Sequence, residues 1–259
     1  MAALTALVVL LAVPLLGNDA QEQEILGLST VARPTAIPEP AGADPGGAAG
    51  ARAAADPAGD RSVPGTRLPP PVESLSGYAW PIRNAHISQG YGPSPWGLGI
   101  VDGQTFHDGL DLATHCGDQI RAAHAGTVLA ASRRFDAYLG WVGDLTAYTA
   151  RLDEKHLWTT LPIVIVIDDG NGYRSIYAHL RSVTVKPGDV VAAGAVIGAE
   201  GATGRASGCH LHYGIFSPYT PLVFGFDPVA AAHMLLPTEE FARTDPLLVL
   251  PPGIEAGIH

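Results

Sequence analysis

Charged residues are scarce in this 259-residue chain, at 15%. A coiled coil or helix bundle needs many more Glu, Lys and Arg. It also tolerates few of the 31 Gly and 22 Pro found here, about a fifth of the chain. Basic residues are outnumbered, 15 Lys and Arg against 25 Asp and Glu. The net charge of −10 leaves no electrostatic footprint for nucleic acid or an anionic membrane surface. Two cysteines are too few for a domain built on disulfides. What the chain does have is apolar residues, 47% of the total, enough to bury a sizeable core in one large domain or two small ones. The turn formers favour many short strands.

The apolar run from Ala2 to Leu16 has the length of a secretory h-region and falls short of the ~20 residues of a spanning helix. Asn18, Asp19 and Gln21 follow, but a basic n-region is missing, since the first Lys or Arg is Arg33. Residues 1–33 read as a signal or anchor with its leader; the alternative is a buried element of the fold. No lipid-attachment cysteine lies nearby. Between Pro34 and Pro71 Ala, Pro and Gly dominate and aromatics are absent, so little apolar surface is available to offset the entropy of ordering. Residues 34–76 therefore read as a tether or a propeptide, extended where Pro is dense.

From residue 77 to 237 the pattern is that of a mostly β domain. Short β-branched runs begin at Gly126 and at Ile163, and Asp169 to Gly172 marks a hairpin turn into Tyr173 to Ala178. Val183 to Val191 reads as a second hairpin around Pro187 and Gly188, and His210 to Phe216 as a last strand. Asp227 and Pro228 supply an N-cap and a first-turn proline for one short helix. The long stretch from Arg133 to Pro162, with Tyr138, Trp141, Tyr148 and Trp158, reads as an inserted loop, either functional or packed on its own aromatics. Residues 238–259 read as a C-terminal tail.

Chemically capable side chains concentrate in four segments: His107 to Asp111, Tyr177 to His179, Gly201 to Gly208, and Cys209 to Tyr213. Side chains two apart on a strand share a face, so His210 and His212 project together while Leu211 turns away. Two imidazoles and one carboxylate make an open zinc site, for which His107 or Asp111 can supply the remaining ligands. Such a metal activates water and polarises a carbonyl, and a spare His beside it can move the proton. The spacing differs from the helical His-Glu-x-x-His of common zinc proteases, and spacing alone does not say which of His210 and His212 is the ligand.

The segments "HDGLDLA", "AGTVLAA", "DDGNGYRSIYAHL", "VKPGDVVAAGAVIGAEGATGRASG" and "CHLHYGIF" occur in that order between about Ala85 and Phe216. This half of the chain resembles the lysostaphin-type (LytM-type) zinc endopeptidases, which cleave peptide cross-links of bacterial peptidoglycan. The resemblance implies a mostly β fold, an antiparallel β-sheet groove of the duplicated-hybrid-motif kind with one short C-terminal helix. It implies one Zn2+ held by His107, Asp111 and His212, with His179 and His210 as the catalytic pair. It also implies peptidoglycan peptide stems or cross-bridges as partner, no nucleic acid, action as a monomer, and an extracytoplasmic location, secreted or tethered. Tyr91, Arg205 and Tyr213 are candidate substrate contacts. Two features depart from the family pattern. Gly214 stands where an acidic residue is usual, and the 133–162 insertion is longer than the usual connection.

If Cys116 and Cys209 both flank one metal site, a disulfide between them is expected in an exported protein; free thiols or soft zinc ligands are the alternatives. His86, His115, His124, His156, His233 and His259 receive no role. Two other functions compete with hydrolysis: a catalytically silent wall-binding module that activates another hydrolase, and a biotinyl- or lipoyl-type carrier suggested by Val185 to Val191. The carrier reading leaves the histidines unexplained and offers no lysine in a modification turn.

Overall fold

The computed structural model describes residues 69–138, 140–216, 224–241 and 243–253. The apolar N-terminal segment, the linker up to residue 68 and the last six residues of the tail lie outside the described residues. In chain order the strands are β1 His86–Gln89, β2 Gly92–Pro93, β3 Gly99–Val101, β4 Gln104–His107, β5 Leu110–Ala113, β6 Gln119–Arg121, β7 Gly126–Ser132 and β8 Ile163–Asp168. There follow β9 Arg174–Leu180, β10 Ser182–Val183, β11 Val190–Val191, β12 Val196–Ala199, β13 Leu211–Phe216, β14 Phe224–Gly225, β15 Glu239–Glu240 and β16 Arg243–Thr244. The mostly β expectation holds.

All the pairings are antiparallel. The main sheet runs β1-β5-β13-β9-β8-β7-β11, with β16 beside the far end of β13. Two smaller sheets flank it, β10-β12-β6 and β15-β14-β3-β4-β2. The β-branched run of β8 sits near the middle of the main sheet and is buried on both faces, which is why it reads as continuously apolar. Its alternate residues feed two cores. Ile165 and Ile167 join Tyr177, Leu211, Tyr213 and Ile215 beneath one face. Val164 and Val166 join Ile176, Ala178 and Phe216 on the other.

The second face decides where a site can be. At one end it is covered by the segment from Phe135 to Leu161 and by the helix Pro228–Met234. At the other end it is left open as a groove. The stretch from Arg133 to Pro162 is thus not a free loop: it contains the helix Thr146–Glu154, so the described residues hold two α-helices where one was expected. Tyr148 and Leu152, one helical turn apart, are its buried residues. Trp141 is fully buried, edge-on to Phe226 at 5.9 Å. A two-residue apolar stripe is too short to announce a helix by its period, which accounts for the miss. The expected helix at 228 is capped as read, with the Asp227 carboxylate accepting from the Val229 and Ala230 amides.

Two further expectations are revised. Val183 and Val191 do not form a hairpin. The turn at Gly188, with φ of +90°, instead carries the chain from β10 in one sheet to β11 in another. Residues 239–253 are not a tail: β15 pairs with β14, Thr244 pairs with Ile215 of β13, and Arg243 and Leu250 are buried. At the other boundary the Tyr173 hydroxyl donates to the Pro70 carbonyl, so the fold begins before residue 77.

Candidate metal centre

Asp111 of β5 and His212 of β13 are register partners in neighbouring strands, so their side chains leave the same face of the main sheet. Leu110 and Leu112 point the other way, into the core. His107 arrives from the end of β4, in a different sheet, through the two-residue link Asp108-Gly109. Gly109 is obligatory there, because a Cβ would stand 2.6 Å from the Tyr213 carbonyl oxygen and 2.8 Å from His212 Cε1. The result is three donor atoms at one point. His107 Nε2 lies 3.1 Å from His212 Nδ1 and 3.2 Å from Asp111 Oδ1, and His212 Nδ1 lies 3.0 Å from Asp111 Oδ1.

The partners of the outer ring nitrogens indicate what these atoms can hold. His107 Nδ1 lies 2.8 Å from the Gly90 carbonyl oxygen, which only accepts, so this nitrogen carries the hydrogen and Nε2 of the neutral ring is a bare lone pair. His212 Nε2 faces Asp108 Oδ1 at 3.5 Å, so Nδ1 is the ring nitrogen turned towards Asp111 and His107. Three acceptors about 3 Å apart repel one another unless protons or a cation sit between them. Two imidazoles and one carboxylate with a side open to solvent suit zinc. Burial alone would raise the Asp111 carboxyl, but hydrogen bonding and charge from His107 and His212 hold it well below the usual carboxylate range.

His179 and His210 stand beside this triad, their ring centroids 4.6 Å apart. His179 follows Ala178, the partner of His212 across β9 and β13, and takes a left-handed φ of 66°, a strain of about 1–3 kcal/mol for a non-glycine residue. Its Nδ1 donates to the Thr203 carbonyl oxygen at 2.8 Å. Burial, helped by repulsion from His210 and His212, pushes its pKa down to about 3, so His179 is neutral with Nε2 free. His210 Nδ1 donates to the Gly208 carbonyl oxygen at 3.0 Å, and its Nε2 lies 3.7 Å from Asp111 Oδ2. The disulfide Cys116–Cys209 is formed and anchors the chain immediately before His210.

These five side chains form the floor of a groove of about 890 Å³, walled by residues that include Gln89, Trp96, Leu98, Pro162 and Arg205. Arg205 is therefore where a substrate contact was expected. Tyr213 is not: its ring is fully buried on the opposite face of β13, packed against Tyr177, so it cannot touch a ligand in the groove. Tyr91 does not line the groove either. Its ring meets Phe106 edge-on and its hydroxyl donates to the Arg243 carbonyl oxygen. Sequence reasoning passed over Thr203, whose hydroxyl donates to the Leu180 carbonyl oxygen and accepts from the Ile163 amide. It also passed over Asp108, although that residue lies inside the His107–Asp111 motif, and the exposed Trp96.

An antiparallel β groove with a His-Asp-His centre and two flanking imidazoles defines the class of domain. Residues 105–222 match Peptidase family M23, in agreement with the resemblance read from the motifs. Among curated relatives, the chain is 34% identical over 128 residues to the glycyl-glycine endopeptidase ALE-1 of Staphylococcus capitis, covering 49% of this chain and 29% of that protein. It is 30% identical over 139 residues to the DD-carboxypeptidase/endopeptidase Mpg of Neisseria meningitidis, covering 54% and 25%. The chain thus spans less than a third of the length of these relatives. Among solved structures, the catalytic domain of lysostaphin from Staphylococcus simulans aligns with a TM-score of 0.39 and 25% identity, covering 63% of this chain and 90% of that one.

Proposed function

We propose that this protein is a zinc-dependent endopeptidase that hydrolyses peptide cross-links of bacterial peptidoglycan outside the cytoplasm, acting as a monomer. The observation that carries the reading is the convergence of His107 Nε2, Asp111 Oδ1 and His212 Nδ1, with the free Nε2 of His179 beside them on the floor of an open groove. The names of relatives that act on peptidoglycan or on glycyl-glycine bonds support the substrate class. The disulfide supports an oxidising compartment.

His107, Asp111 and His212 would hold the zinc. When bound there it supplies an acidified water, with a pKa near ~7, and polarisation of the scissile carbonyl. His179 Nε2 accepts the proton of the attacking water, for which its neutral state suits it, and returns it to the leaving amine. His210 stands across from it, where its imidazole stabilises the carbonyl oxygen as negative charge develops there. Arg205 and Trp96 hold the peptide in the groove.

The test is zinc content together with release of soluble fragments from purified peptidoglycan. One zinc per chain with hydrolysis is expected. Zinc-free protein that cleaves nothing, yet stimulates a second wall hydrolase, would instead establish the silent-activator reading.

A further inference from the structure

Asp108 is a buried carboxylate adjacent to a metal ligand, and the chemistry above leaves it without a task. Its residue is only 6% exposed, and burying an anion is costly unless each oxygen is compensated. Oδ1 faces His212 Nε2 at 3.5 Å and Oδ2 faces Arg243 Nε at 3.2 Å. The two contacts come from opposite sides, so the carboxylate bridges the His212 ring and the Arg243 guanidinium.

Arg243 is itself held on several sides. It donates to the Phe241 carbonyl oxygen, lies over the Phe216 ring at 4.7 Å, and has Glu240 Oε2 3.7 Å from its Nη2. Burial pushes the Glu240 carboxyl up to about 8, and Asp108 is the nearer of the two carboxyls to the guanidinium. Gly214 leaves the approach open: a Cβ there would lie 3.8 Å from His212 Nε2 and 2.9 Å from an Ile176 methyl carbon.

We infer that Asp108, clamped by Arg243, is a positioning residue that orients the metal ligand His212 from behind. Resting on the zinc reading above, this assigns Arg243 to the metal centre. Asp108 holds the hydrogen on His212 Nε2 and so directs the Nδ1 lone pair at the metal. Arg243, 3.2 Å from the other oxygen, keeps the carboxylate aimed. A buried ion pair of this kind contributes little net stability compared with apolar packing, whereas a carboxylate behind a ligating imidazole raises its basicity and fixes its ring.

The test compares the full wild-type chain with Asp108→Asn. Zinc affinity is measured by competition with a chromophoric chelator, and the thermal midpoint of the zinc-free form is measured alongside. Affinity per folded chain is expected to fall about 10- to 100-fold, and the zinc-free midpoint falls as well, because the buried Arg243 charge loses its partner. Equal affinity in the two proteins overturns this inference and leaves the zinc reading intact; a wild-type chain that takes up no zinc overturns both. Should the variant fail to fold, nitrogen-15 spectra of zinc-loaded wild type decide the matter. A protected His212 Nε2–H is expected, and metal ligation through Nε2 would contradict the assignment.

Discussion

Gly109 shows how narrow the tolerance is at single residues. Its missing side chain lets the chain pass between the Tyr213 carbonyl and the His212 ring, bringing His107 across from another sheet. Gly109→Ala should therefore weaken zinc binding as well as destabilise the fold by about 1–3 kcal/mol, measured by chelator competition and urea unfolding. The roles of the two strand histidines separate in the same way. His212→Ala should lose zinc and hydrolysis together. His210→Ala should keep its zinc, read by metal analysis, and lose hydrolysis by about 10²- to 10⁴-fold. A fully active His210→Ala protein would contradict the assigned role.

Asp169 lies in the core far from this chemistry and sets a pH dependence of its own. Burial raises its pKa to about 7, against the opposing hydrogen bonds from Ser175 and Tyr78. The folded chain therefore keeps a proton there that the unfolded chain releases near the ordinary Asp value of ~3.9. Stability from this group is full below that value and is lost as pH rises to about 7. The midpoint of Asp169→Asn relative to wild type should climb between about pH 4 and pH 7 and level off above. A difference that stays flat over that range would refute the buried-acid account.

Among the elements, β7, β8, β9 and β13 were legible because their β-branched and alternating patterns match the strand period and their ends carry Gly or Asp turns. The helix Thr146–Glu154 was not, since only Tyr148 and Leu152 mark its buried side. That segment is nevertheless part of the core: Trp141→Ala should cost about 3–5 kcal/mol in denaturant unfolding, where a loose surface loop would cost almost nothing. The disulfide acts at the same scale, joining the loop after β5 to the start of β13 across 93 residues. Replacing both cysteines by serine should lower stability by about 4–5 kcal/mol if the effect lies in the unfolded chain, and should loosen His210.

For the molecule as a whole, the His and Asp positions of the centre were readable from motif order, because each motif sits on a strand or turn that the sheet topology brings together. What sequence could not show is distance in three dimensions. Arg243 lies 135 residues from Asp108 in sequence and 3.2 Å from it in space. Likewise, Tyr213 sits next to His212 yet faces the opposite core, since adjacent strand residues point opposite ways. The open end of the main sheet and its donor triad make one claim about the molecule, that an amide is cut there. Digesting cross-linked muropeptides with zinc-loaded protein, and reading the products by mass spectrometry, tests it most directly. A matched pair of new amino and carboxyl termini at one peptide bond, absent after chelation, is the expected result. Intact muropeptides after incubation with protein carrying one zinc per chain would contradict it.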